Sequence, residues 1–358
     1  MAYTTIDDSS AHFQIALHSS SNSATITNDG NSDLKPDLLW SKARGAGHSH
    51  GLFDSSRGVR QWLRSDTDNA EVTVASGYDL ISFNTDGFST GNNQYNTICG
   101  NTTYVAWQWK ANGGTTSSNT SGNITSTVQA NQDAGFSIVS FTGNGTDGAT
   151  VGHGLGAVPA MVLFKCRDTS NTDWRVYHQS ISPTNAVSLN SSGAQYGASG
   201  VFGGTFTSTL LKVENDTGAN RNTSPMIAYC FAEKQGYSRF GSYVGNGQTQ
   251  EGPFVYTGFK PAFVMIKNTE TASRNWYIYD IKRRAFNSNG SVLSANVANA
   301  EADDQAIDIF SNGFRVRPEG VVSGYGTSTV NHNSQKFIYA AWAENPFVTS
   351  TGVPGTAL

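Results

Sequence analysis

The side chains able to do chemistry in this 358-residue chain are scattered rather than gathered. Carboxylates come closest to a pattern: Glu233 and Glu344 end matching apolar segments, and Asp66-Thr-Asp68 and Asp303-Asp304 form short acidic groups. Cleaving a glycosidic bond needs two such groups on one cleft with their pKa values pushed apart. The first matching segment ends instead on Lys110, which argues against a repeated catalytic role and for structural pairing. The acidic groups lack the Asp-x-Asp-x-Asp-Gly frame of a calcium loop and read as solvated turns. His48-Ser-His50 has no third ligand at metal-binding spacing. Gly152-His153-Gly-Leu-Gly156 precedes an apolar strand, not a helix, so it is no phosphate loop; its glycines suit a tight reversal with His153 packed beneath. No Gly-x-Ser-x-Gly nucleophile elbow occurs. The expectation is a protein that is not an enzyme, with no catalytic residue, no metal site and no cofactor.

Binding has better candidates. Trp174-Arg-Val-Tyr-His178 and Trp276-Tyr-Ile-Tyr-Asp280 each begin 15 residues past a proline, Pro159 (174 − 159) and Pro261 (276 − 261). Strand alternation puts Trp174 and Val176 on one face and Arg175 and Tyr177 on the other; Trp276 and Ile278 oppose Tyr277 and Tyr279 in the same way. With the tryptophans inward, Arg175, Tyr177, Tyr277 and Tyr279 are the candidate ligand-binding residues, an aromatic face able to stack on sugars. The competing reading places that face under a helix or a neighbouring subunit. Loop tips rich in Asn, Ser and Gly are the other candidate contact surface.

The elements that position these residues are repeated. Pro36-Asp-Leu-Leu-Trp-Ser-Lys42, Pro159-Ala-Met-Val-Leu-Phe-Lys165 and Pro261-Ala-Phe-Val-Met-Ile-Lys267 are three versions of one strand. Phe13 precedes Phe136 by the same 123 residues (136 − 13) that separate Pro36 from Pro159 (159 − 36). Asn144 and Asn246, both in Gly-Asn-Gly turns, share the 102-residue shift (246 − 144) of Pro159 and Pro261. Tyr104–Trp109, Met226–Phe231 and Phe337–Trp342 close the three units with alternating aromatic faces, which read as core. These signals predict an all-β fold of three tandem antiparallel β-sandwich repeats, jelly-roll-like, with few short helices. The units are residues 1–111, 134–235 and 236–358. A Ser/Thr/Asn/Gly-rich linker at 112–133 joins the first two, where Asn123–Val128 could add a strand. Arg57–Arg64, Ile281–Phe286 and Asn299–Ala306 could each form a turn or two of helix.

Composition excludes several classes. Charged residues are 14% of the chain and the net charge is −4, with no basic run, which leaves no field for nucleic acid. No stretch approaches 18 apolar residues and the start lacks a basic region followed by an apolar one, so neither membrane insertion nor a secretory signal is expected. Cys99, Cys166 and Cys230 read as reduced, buried thiols.

Several phrases together carry a resemblance. They are the opening Met-Ala-Tyr-Thr-Thr-Ile-Asp, Lys35-Pro36-Asp37 with Trp40 and Lys42, Phe83-Asn-Thr-Asp-Gly-Phe88, Tyr104–Lys110, Gly135–Phe141 through Val151–Gly156, and Ala343-Glu-Asn-Pro-Phe347. Over nearly its whole length the chain resembles repeat-containing structural, tail-fibre-like proteins of marine tailed bacteriophages of the cyanophage type. The resemblance implies a virion location and supplies no catalytic residue. The expected function is a non-enzymatic virion surface protein, a tail fibre, head fibre or similar appendage. Its expected partners are copies of itself in a homo-oligomer, other virion proteins and host surface glycans. A virion-borne polysaccharide depolymerase and a purely architectural decoration or collar protein are the alternatives. The first unit departs from the others: it has His50-Gly-Leu-Phe-Asp54 where they have the Trp-x-[Val/Ile]-Tyr strand.

Overall fold

A computed structural model describes residues 3–248, 251–283, 287, 290–303, 306–317 and 330–354. The chain is all-β, and the one helical element among these residues is a 3-10 turn at Ser9–Ala11. Arg57–Arg64 forms a turn and part of a strand instead of helix. Residues 284–286 and 304–305 of the other two expected helical turns lie outside the described residues, as does Asp304. No helix among the described residues is long and apolar enough to cross a membrane.

One strand order recurs in three sheets: opening strand, closing strand, lysine strand, third strand. In the first sheet these are Phe13–His18, Tyr104–Trp109, Leu38–Ala43 and Gly51–Asp54. In the second they are Phe136–Thr142, Pro225–Phe231, Met161–Cys166 and Arg175–His178; in the third, Ser238–Val244, Lys336–Pro346, Phe259–Asn268 and Trp276–Asp280. The registers repeat as well. Trp109 pairs with Phe13 and Leu38, Phe231 with Phe136 and Met161, and Trp342 with Ser238 and Phe263. The 123- and 102-residue shifts of the sequence therefore carry the opening and lysine strands from sheet to sheet in register, while the closing strands move by 122 (231 − 109) and 111 (342 − 231) residues.

The inner faces of the three sheets do not make three separate cores. They form one, running from Phe13, Trp40 and Trp107 through Leu163, Trp174 and Tyr229 to Met265, Trp276 and Trp342. At its centre the equivalent residues Trp109, Phe231 and Trp342 touch one another edge to face, with ring centroids 5.2–6.2 Å apart. Edge-to-face contacts at this distance suit the aromatic quadrupole and add to the hydrophobic gain. The sheets are thus arranged around an axis, rather than strung along the chain as independent sandwiches. Trp174, Val176, Trp276 and Ile278 face this core, as alternation requires.

Each large sheet packs its other face on a small one. These are Ala24–Ile26, Phe88–Thr90 and Leu80–Phe83 in the first unit, Ala149–Gly152 with Leu210–Val213 in the second, and Phe254–Tyr256, Gly313–Val316 and Ile307–Phe310 in the third. Three outer cores lie between large and small sheets. Residues 112–133 are not a free linker: Ser117–Asn119 and Ser126–Asn131 extend the second sheet by two strands beside Phe136–Thr142. The His153 loop folds as the sequence suggests. Gly154 and Gly156 adopt φ of +74° and +68°, and a Cβ on Gly154 would meet Val128 at 2.9 Å. His153 lies buried beneath them, within hydrogen-bond reach of the Thr207 carbonyl.

Candidate functional site

The face proposed for sugar stacking is covered. Tyr177 is 5% exposed and packs its ring 4.3 Å from Phe206, while Tyr277 and Tyr279 lie in the third outer core. Arg175 is half-buried and held by Asp216 at 3.0 and 3.1 Å and by Asp173 at 3.2 Å. The physical reason is that a sheet with two apolar faces buries both. Phe202 and Phe206 cover Tyr177, the third outer core takes in Tyr277 and Tyr279, and Arg175, Tyr177, Tyr277 and Tyr279 are scaffold residues.

The repeated lysines are also buried, and each ties its unit to another. Lys42 Nζ donates to the Ala43 carbonyl at 2.8 Å and to the Ala298 carbonyl of the third unit at 3.0 Å. Lys165 reaches the carbonyls of Thr172 (2.8 Å) and Asp68 of the first unit (3.4 Å). Lys267 reaches Arg274 (2.8 Å) and Ser192 of the second unit (3.4 Å). Burial lowers Lys42 and Lys165 to about 8 and Lys267 to about 7. Beside them, the indole N–H groups of Trp174 and Trp276 donate to the Arg64 and Ser188 carbonyls of the preceding unit. His50 takes the indole's place in the first unit. Its Nδ1 accepts from the Trp40 indole at 2.9 Å, so its Nε2–H donates to the Ser294 carbonyl at 3.0 Å. The tautomer is fixed and no metal is needed to explain the residue. Among the described residues, no group of three or more His, Cys, Asp or Glu could hold a metal ion.

Buried ions complete two of the three seams. Between the first and second units, Asp54 accepts from Arg57 and from the Tyr229 hydroxyl at 2.7 Å, and Glu71 bridges Arg57 and Arg167. Between the third and first, Asp280 accepts from Arg283 and from the Trp107 indole at 3.0 Å, and Glu301 bridges Arg283 and Arg44. Burial pushes both glutamates up, but their arginine partners outweigh it and hold them below the usual carboxylate range. These are clamps between units.

Among the described residues, two features open to solvent stand out. The first is an aromatic strip on the small sheet of the third unit. Phe254 and Tyr256 are 49% and 53% exposed, Phe310 stands edge-on to Phe254 at 5.9 Å, and the Arg315 guanidinium lies over Phe310. Asp308 accepts from Arg315 at 3.2 Å and Arg317 at 2.8 Å beside it. On the first small sheet, the outward positions that match Phe254 and Arg315 in the strand pairing are Thr25 and Ser89, bonded to each other. The signal in the sequence was Phe254-Val-Tyr256: Val255 faces the core, which sends two large rings outward.

The second is a cleft of about 300 Å³ between the first and third units. Its floor is apolar, from Phe13, Ile15, Ala262, Ile281 and Ala343. Three carboxylates reach it. Asp29 pairs with Lys282 and Glu344 with Lys260. Burial pushes Asp8 up, but hydrogen bonds from Ser10 and Ser32 hold it below its ordinary value, the opposite of what a general acid requires. Glu233 pairs with Arg239 on the surface.

Fold and site together define the class: an all-β scaffold of three like sheets closed on one core, with its polar clamps buried and its exposed aromatic strip on one unit. The chain belongs to the family described as Domain of unknown function (DUF7483), which matches residues 8–346. No curated protein and no solved structure matches it.

Proposed function

We propose that this protein is a non-enzymatic structural component of a tailed-phage particle surface, in a tail fibre, head fibre or similar appendage, and that it contacts host surface glycans. The observation that carries the reading is the break in threefold likeness at Phe254, Tyr256, Phe310 and Arg315. At the matching positions of the first small sheet the chain carries Thr25 and Ser89, and here it exposes rings beside the Arg315 guanidinium. Sugar rings stack on such aromatic faces while the flanking charges hydrogen-bond their hydroxyls. The closed ring of clamped sheets supports the structural half of the reading, since it holds the strip on a rigid base. The resemblance to phage structural proteins supports the location.

The test has two arms. Mass spectrometry of purified particles is expected to find this polypeptide, and its absence would overturn the virion reading. Retention of the protein on immobilised host surface polysaccharide is expected to fall about tenfold in Phe254→Ala/Tyr256→Ala, or ~1.4 kcal/mol. Equal retention of this variant and the parent would remove the aromatic strip from the proposal.

A further inference from the structure

The opening strand of each large sheet lies beside its closing strand, and in the first and third sheets its other edge carries no further strand. In the first sheet the Lys110 amide donates to the His12 carbonyl at 3.0 Å, which sets the alternation of the ladder. Gln14 and Ala16 then spend their main-chain groups on the closing strand, and those of Phe13, Ile15 and Leu17 point away from it. In the second sheet the equivalent groups are used: Phe136, Ile138 and Ser140 pair with Asn131, Gln129 and Thr127 of the added strand. In the third, the Phe240 carbonyl, at the position of Ile138, accepts from Gln179 Nε2 at 2.6 Å. Among the described residues, no hydrogen bond reaches the main chain of Phe13, Ile15 or Leu17 outside their own sheet. An unpaired edge of this kind is a template for another strand.

The space beside that edge matches the same template. At the first-to-second seam, the Gln129 side chain is buried, accepts from the Asn112 and Gly114 amides at 3.1 and 2.7 Å, and donates to Ser55 and Ser56 at 3.0 and 2.9 Å. Asn112 stands three residues after Trp109, as Asn345 does after Trp342; Ser56 stands two after Asp54, as Lys282 does after Asp280. Asn345 and Lys282 both line the 300 Å³ cleft, together with Phe13 and Ile15. The cleft is therefore the counterpart of the seat that Gln129 fills one seam earlier. Both lysines at its rim are already paired, Lys282 with Asp29 and Lys260 with Glu344, and Asp8 is held by the Ser10 and Ser32 hydroxyls. Such a rim rejects an acidic occupant, and the counterpart seat holds a neutral amide.

We propose that the free edge of Phe13–His18 and the adjoining cleft receive an antiparallel strand from another polypeptide, uncharged over the paired stretch and carrying Gln or Asn opposite Ile15. Main-chain hydrogen bonds at Ile15 and Leu17 would supply affinity, and the amide side chain in the cleft would set the register.

The probe is a synthetic peptide with the sequence of residues 124–133, added to the full-length chain. At saturation, hydrogen exchange at the Ile15 and Leu17 amides is expected to slow at least tenfold, with no change along Phe136–Thr142. The same peptide N-methylated at the residue corresponding to Gln129 is expected to bind at least tenfold more weakly. Ile15→Pro removes an amide that the sheet does not use, and is expected to keep the fold and lose the peptide. Should that variant fail to fold, the N-methylated peptide still decides. Absence of binding, binding without protection at Ile15 and Leu17, or equal affinity of the N-methylated peptide would each overturn the proposal. So would protection that rises with protein concentration alone, since the occupant would then be a second copy of this chain.

Discussion

The seam between the first and second units and the seam between the second and third are one contact built from different chemistry. The main chain is the same in both: the Glu71 amide donates to the Arg167 carbonyl at 2.7 Å, and the Gln195 amide to the Thr269 carbonyl at 2.8 Å. The third seam repeats it with Glu301 and Arg44 at 2.8 Å. Side chains diverge around that constant bond. Where the first seam buries Asp54, Arg57, Glu71 and Arg167 in a network, the second has His178, Ile181, Gln195 and Thr269. His178 donates from Nε2 to the Tyr339 carbonyl and accepts the Ser180 amide at Nδ1, and burial lowers it to about 4. The shared core and the repeated backbone bond therefore suffice to close a seam. Ions buried beside them add direction rather than necessity, because replacing a buried pair by neutral groups is often close to neutral in stability.

Breaking one partner should expose the difference most clearly. Asp54→Ala takes from the buried Arg57 guanidinium one of its two carboxylates, leaving Glu71, and from the Tyr229 hydroxyl its acceptor, and is expected to cost about 3 kcal/mol in denaturant midpoint experiments. The neutral seam should respond to acid instead. The His178 pKa is depressed on folding, so between its unfolded value of roughly 6.5 and its folded value the unfolded chain binds more protons. Stability is expected to fall as pH drops from about 6.5 towards 4, by up to ~3 kcal/mol from this residue. The buried His153 and His50 and the half-buried His18 have the same sign and set a common background. Against that background His178→Gln should flatten the acid limb of a pH–stability curve. An unchanged limb would mean that the neutral seam takes no proton.

The sequence made the strands, their faces and the register legible because each is fixed by local alternation and by the spacing of repeated residues. Pro159–Lys165 and Trp174–His178 could be placed, and Trp174 assigned inward, from the pattern alone. Closure was not legible. Nothing in the spacing says that Trp109, Phe231 and Trp342 meet, since three independent sandwiches would show the same repeat. That is also why Tyr177, Tyr277 and Tyr279 were misplaced. With the tryptophan face turned to a shared centre, the tyrosine face had to supply the outer core under the small sheet. The lysines were visible as a repeat, but a strand-end lysine ordinarily marks solvent. Their role depends on carbonyls 75 to 256 residues away. Asp8, Asp29 and Glu344 come together only through the seam between the chain's two ends.

The smallest expected effect sharpens the same comparison. Lys165 and Lys42 point towards the ionic seams, where carboxylates nearby favour their charge, and Lys267 points into the neutral seam beside Arg274, which opposes it. All three have folded pKa values below the unfolded value of roughly 10.4, so the unfolded chain binds more protons over that gap and stability rises with pH there. Between pH 7 and 8 most of the rise comes from Lys267, because the other two, with folded values of about 8, have given up at most half of their protons by pH 8. Lys267→Met keeps the buried stem and is expected to remove about 1 kcal/mol of the stability gained between pH 7 and 8, whereas Lys165→Met should remove roughly a third of that. Denaturant midpoints at the two pH values measure it directly. Equal flattening in both variants would show that the carboxylates of the first seam do nothing for its lysine, and that the two seams differ in composition without differing in electrostatics.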